Sequence, residues 1–191
     1  MKSDRSLLNE SILSRMKQLC PSYEHAWRTE EDKRFSSSAA WKRIRQRILE
    51  RDDYTCQYCG FRSEKGMSIN HISGDPKDNQ DSNLETICRG CHMVMHTGLW
   101  CSVKKTMILF KESKYSQSEI VRITRDMRGQ GKSDEEIIRF LGLKNQMPWK
   151  QDLAYLKPLL AFATSKVGVE SPQPLLTEEE QRWRVKNRDK W

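Results

Sequence analysis

Between Ala39 and Arg51 the apolar residues Trp41, Ile44, Ile48 and Leu49 fall at helix spacing on one face, while Lys42, Arg43, Arg45 and Arg47 lie largely outside it. That pattern predicts an amphipathic helix, with the preceding Ser36, Ser37 and Ser38 serving as a linker or cap. Upstream the chain is polar, and only Leu7, Leu8, Ile12, Leu13 and Met16 outline a shorter amphipathic helix. The period then changes. Met67 to Ile72 and Leu84 to Ile87 read as strands, with the turn formers Ser73, Gly74, Asp75, Pro76 and Asn79 between them, and a further helix starts near Arg89. Thr106 to Phe110 is strand-like, after which the text is helical. Ser118 and Glu119 open a helix carrying Ile120, Ile123 and Met127, and Gly129 and Gly131 end it. Ser133 with Glu136 forms a capping box for a second helix through Ile137, Ile138 and Leu141, stopped by Gly142. Pro148 suits the first turn of a third helix, which Pro158 divides. Ser171, Pro172, Gln173 and Pro174 read as a linker to a last charged helix, capped by Thr177 and Glu180 and reaching Trp191.

Composition narrows this picture. Of 191 residues, 36% are apolar and 31% charged, with a mean hydropathy of -0.83, so the core is lean. That suits one ordinary domain with appendages. Six Trp, five Tyr and five Phe supply anchors that argue against a fully disordered chain. A formal charge of +8 favours polyanionic partners through counterion release. No stretch approaches the roughly 20 apolar residues that span a bilayer, and Met1 to Arg5 lacks the apolar core of a signal peptide. The expectation is a cytoplasmic protein with no membrane partner, in a reducing compartment where six cysteines do not serve disulfides.

Four of those cysteines form two knuckles, Cys56-x-x-Cys59 followed by Gly60, and Cys88-x-x-Cys91. Two intervening residues let both thiolates of a pair reach one ion, and four thiolates close a tetrahedral Zn²⁺ site with no position for water. A thioredoxin-like redox pair is the competing reading, and it needs one such pair, not two in a basic chain. Cys20 and Cys101 have no partner pair and read as ordinary thiols. Directly after the second knuckle, His92 and His96 stand at i and i+4, so on a helix they share a face and can ligate one ion.

The text from Trp41 and Arg45 through Arg51, Asp52, Cys56, Cys59, Gly60, Asn70, His71, Ile72, Asn83, Leu84, Cys88, Cys91 and His92 to His96 resembles the HNH (ββα-metal) endonuclease family in its four-cysteine zinc form. The resemblance covers under a third of the chain. It implies an α+β fold: a small zinc-bound ββα-metal nuclease core, a two-stranded hairpin then a helix, flanked by α-helices. The family letters correspond to His71, Asn83 and a histidine of the His92/His96 pair. His71 would then be the general base that takes a proton from water, and Asn83 the residue that braces the loop bearing it. One divalent ion would be held by Asn70, His92 and His96. Products of the family type carry 5′-phosphate and 3′-hydroxyl ends.

Asn70 departs from the family, which often has Asp, Glu or His before the base as a metal ligand. A neutral oxygen there leaves the ion open among Mg²⁺, Mn²⁺, Ni²⁺, Co²⁺ and Zn²⁺. The expected organisation is an N-terminal helical extension (1–38), a nuclease core (39–100), a helical region with a loose helix-turn-helix likeness (101–170), and a linker with a charged helix (171–191). Arg43 and Arg47 on the first core helix are candidate phosphate contacts, and Lys144 and Lys150 on a third flanking helix are candidate DNA contacts. The last helix, with Trp183 and Trp191, can dock on the core or pair two chains as a homodimer.

The leading expectation is a metal-dependent DNA endonuclease working in restriction, phage defence, DNA packaging or a mobile element. Two alternatives stay open: a zinc-ribbon DNA-binding regulator that does not cut, and an RNA nuclease or adaptor in a larger complex.

Overall fold

In a computed structural model, residues 30–150 and 152–165 are described. The expected helix near Leu7, the thiol Cys20, the 171–174 linker and the C-terminal helix lie outside them.

The chain enters through α1 (Glu30–Ser36) and α2 (Ala39–Arg51). Ser38 caps α2, its hydroxyl accepting from the Trp41 amide at 3.1 Å. Ile48 and Leu49 are buried, while Trp41 and Ile44 pack at the core margin, so the predicted apolar face is the one that docks. β1 (Ser68–His71) and β2 (Leu84–Ile87) then pair antiparallel, with Asn70 opposite Glu85 and His71 opposite Leu84. α3 (Arg89–Met95) follows directly. This hairpin and helix is the α+β core arrangement that the family resemblance implies.

The described part of the 101–170 region holds the strand expected near Thr106–Phe110 and two strands besides, where only helices were expected. A π-helical turn (Leu99–Val103) leads into β3 (Met107–Glu112), α4 (Gln117–Gly129), α5 (Asp134–Leu141), β4 (Lys144–Met147), α6 (Leu153–Leu156) and β5 (Leu160–Ala163). β3 is the centre of a three-stranded antiparallel sheet flanked by β4 and β5. Its four leading residues alternate between two cores. Met107 and Leu109 join the cluster of α2, the hairpin and α3, while Ile108 and Phe110 join that of α4, α5 and Phe162. A strand apolar on both faces is what lets the second unit share a core with the first.

Two capping boxes, Ser116 with Glu119 and Ser133 with Glu136, start α4 and α5. Gly142 ends α5 at φ 63°, a left-handed conformation that glycine adopts without a Cβ clash. The third helix expected from Pro148 is not formed there. Lys144–Met147 is instead an edge strand, registered by Leu109 opposite Met147 and Phe110 opposite Gln146, and the helix begins only at Leu153.

Candidate functional site

The first knuckle forms where the chain turns back after α2. The Cys56 amide donates to the Phe61 carbonyl at 2.8 Å, the Gly60 amide to the Cys56 carbonyl at 3.0 Å, and Gly60 has φ 72°. The Gln57 amide donates to the Thr86 carbonyl at 3.0 Å, seating this turn on β2. The second knuckle is the start of α3, where the Cys88 sulfur accepts from the Cys91 amide at 3.5 Å. The four sulfurs all lie within 4.8 Å of one another, three of the cysteines being buried. Bonds of about 2.3 Å to a tetrahedral Zn²⁺ put neighbouring sulfurs about 3.8 Å apart, and Cys59 and Cys88 stand at 3.6 Å. The tetrad fits a structural zinc.

What packs against it leaves no local mark in the residue pattern. Arg125, from α4, donates to the Cys88 sulfur at 3.1 Å and the Cys59 sulfur at 3.4 Å. Its guanidinium lies 3.9 Å from the centre of the Phe61 ring. Four thiolates on a divalent ion leave a net charge of about −2, which a guanidinium offsets. Hydrogen bonding from Cys56, Cys88 and Cys91, with Arg125 adding to it, draws the Cys59 thiol below its ordinary range. Hydrogen bonding from Cys56 brings Cys88 down to about 7.

His71 ends β1. Its Nε2 is 3.1 Å from Oδ1 of Asn79, whose own Nδ2 donates to the Lys77 carbonyl at 3.2 Å. Because an amide oxygen only accepts, Nε2 carries a proton in this contact. The Trp41 indole stacks on the imidazole at 5.6 Å between centroids and 12° between planes. Asp32, Phe35 and Ser36 of α1 complete a narrow crevice with His71, Pro76 and Asn79, so part of the expected N-terminal extension walls the candidate base.

Asn83 holds the loop between the strands. It is 9% exposed, its Oδ1 accepts from the Ser73 amide at 2.8 Å and its Nδ2 donates to the Asp78 carbonyl at 2.8 Å. From outside the loop, Arg51 donates to the carbonyls of Asp81 and Leu84 at 2.6 and 2.7 Å, and Arg47 pairs with the Asp81 carboxylate at 2.6 Å.

On α3, His92 and His96 do share a face. Their Nε2 atoms are 2.9 Å apart and hydrogen-bonded to each other, a spacing close to the roughly 2.9 Å between cis ligands of an octahedral ion at about 2.05 Å, so the pair could exchange that bond for a shared ion. Asn70 is 2% exposed and donates from Nδ2 to Oε1 of Glu85 at 2.8 Å, an oxygen that also accepts from the Tyr58 hydroxyl. With Nδ2 so engaged, Oδ1 is the Asn70 atom able to serve a cation. Among the described residues, the cysteine tetrad is the cluster of three or more His, Cys, Asp or Glu donors at metal-site spacing; His71 does not join His92 and His96 in one.

Arg43 is exposed on α2, and Arg47, also exposed, pairs with Asp81. Lys144 projects from an edge strand rather than a helix, and Lys150 stands 4.8 Å from the Tyr155 ring. α5, the helix before β4, opens with Asp134, Glu135 and Glu136, a poor face for phosphates. Cys101 is buried in the core.

Residues 56–98 match the family model of the HNH endonucleases. The matched span holds the candidate metal-binding tetrad, the hairpin and α3, so this part of the chain is similar to an HNH module. The Type 4 apparatus protein DotN of Legionella pneumophila is 43% identical over 51 residues, 27% of this chain and 24% of that protein. The Zorya protein ZorE of Escherichia coli is 28% identical over 74 residues, 36% of this chain and 20% of that protein. The matched part of the chain spans a quarter or less of the length of these curated relatives. No helix among the described residues is long and apolar enough to cross a membrane.

Proposed function

We propose that this chain is a metal-dependent DNA endonuclease that hydrolyses phosphodiester bonds with His71 as general base. The observation that carries the reading is the pair of imidazole nitrogens 2.9 Å apart on α3, presented by a thiol-clamped hairpin whose first strand ends in His71. A module that only binds has no use for such a set.

In this reading Asn79 fixes the His71 tautomer, so that Nδ1 takes the proton from the attacking water. Trp41 holds the ring plane, and Asn83 holds the loop that carries Asn79. His92, His96 and the Asn70 carbonyl oxygen are the candidate ligands of a catalytic divalent ion, and Glu85 orients the Asn70 amide. When bound, such an ion supplies a Lewis acid that offsets charge on the leaving 3′ oxygen. The tetrathiolate zinc is structural. Arg43, exposed beside this unit, is the best-placed of the expected phosphate contacts, and the net charge of +8 supports a polyanionic substrate.

A second reading, an adaptor in a larger complex that does not cut, draws on the relative titled an apparatus protein and on the covering of His71 by Trp41. Incubating supercoiled plasmid with the full chain and a panel of divalent ions separates the two. Relaxed or linear product, lost on chelation and in His92→Ala and His96→Ala, supports the nuclease. Shifted but intact plasmid with every ion overturns it.

A further inference from the structure

On the side of α3 away from its histidines lies a cavity of about 680 Å³. Gly90, Met93 and Val94 line it, Gly90 and Val94 lying on the far side of the helix from His92 and His96 and Met93 about a right angle from them. The remaining walls come from the π-helical turn, α4 and β5. It is a cleft open to solvent, and its volume falls within the span of about 300 to 1,000 Å³ of small-molecule sites.

Its lining has a definite chemistry. Trp100, Ile120 and Val121 supply apolar wall, while Arg89 and Lys104 are cations within reach of solvent. Arg125 and Arg128 also line it, engaged with the cysteine sulfurs and with Asp134. No carboxylate lines it among the described residues. The hydroxyls of Thr106 and Thr124 are buried at its wall with no hydrogen-bond partner among the described residues. Thr124 is only 7% exposed.

We propose that this cavity binds a nucleotide unit: a flat apolar body against Trp100 and Val121, with its phosphate drawn to Arg89 and Lys104. The site is separate from the histidines, and the proposal stands whether or not the chain cuts DNA. An occupant would brace α3 from behind, on the helix that presents His92 and His96.

The test uses the full, zinc-loaded chain and 8-anilinonaphthalene-1-sulfonate, a fluorescent aromatic anion, as probe. Saturable one-to-one binding is expected. Val121→Trp, which fills the cavity, should abolish it, and the Arg89→Ala, Lys104→Ala double variant should weaken it about tenfold or more, both with circular dichroism and zinc content unchanged. If Val121→Trp does not fold, the double variant decides alone. Adenosine 5′-monophosphate, or a short 5′-phosphorylated single strand, should displace the probe, the first marking a free nucleotide and the second a strand end. Binding that does not saturate, that survives the double variant unchanged, or that uncharged adenosine displaces as well as the monophosphate overturns the proposal, as does failure of both phosphates to displace.

Discussion

Replacing Asn83 by Ala removes two hydrogen bonds, from the Ser73 amide and to the Asp78 carbonyl, each 2.8 Å long. They close the loop of residues 72–83 across its own width, and the Asn83 side chain is nearly sealed from water. Neutral hydrogen bonds contribute about 1 kcal/mol each, and the partners left behind in a partly buried loop add to the loss, so about 2 to 3 kcal/mol of stability should go. With a urea slope of about 2 kcal/mol/M for a domain of this size, the unfolding midpoint should fall by about 1 M. Zinc content should not change, because the four sulfurs lie elsewhere. Asn83→Asp keeps the acceptor for Ser73 and loses the donor to Asp78, so it should fall between wild type and Asn83→Ala. Urea titration followed by tryptophan fluorescence, with zinc quantified in parallel, reads all three. A midpoint shift in Asn83→Ala below about 0.2 M would refute the bracing role, since no estimate of two lost bonds is that small.

Further outcomes follow from the same structure. Cys88→Ser should lose zinc and lower the melting temperature by well over 10 °C, because ion-binding energy at such a site is folding energy; an unchanged metal content on mass spectrometry would contradict it. Arg125→Ala should keep the tetrad but release zinc to a chelator faster, and Arg125→Lys should rescue this only in part, since a point charge cannot span Cys59 and Cys88 as a guanidinium fork does. Burial raises the Asp134 pKa, but the Ser165 amide, Arg128 and the Ser165 hydroxyl outweigh it and leave the carboxyl below its usual range. A depressed folded pKa stabilises above the unfolded value of about 3.9 and that stability is lost as pH falls through it toward the folded value. Acid titration of the fold should therefore show a loss beginning near pH 4 that Asp134→Asn lacks.

Much of the site was legible from the sequence because it is local. Knuckle spacing, the i and i+4 histidines and the Ser133 capping box all express contacts within a few residues, and the strand Leu84–Ile87 announces itself by its run of apolar and β-prone side chains. The segment around Lys144 was not legible. Its strand exists only by pairing with β3, more than 30 residues upstream, and Pro148 offered a local helix signal that this long-range ladder overrides. Asn79 and Arg125 were hidden for the same reason. A turn brings Asn79 back across eight residues to His71, and the packing of α4 carries Arg125 to a cysteine 66 residues away. Neither leaves a periodic trace. The Arg47 pairing with Asp81 was equally hidden, since it joins residues 34 apart.

The measurement that bears most directly on the central claim is the single-turnover rate of plasmid cleavage by wild type and His71→Ala, at equal zinc content and equal DNA affinity. A positioned general base contributes about 10² to 10⁴ in rate, so the variant should be slower by at least that lower factor while still binding DNA. Cleavage by His71→Ala at the wild-type rate would remove the imidazole from the chemistry and the account with it.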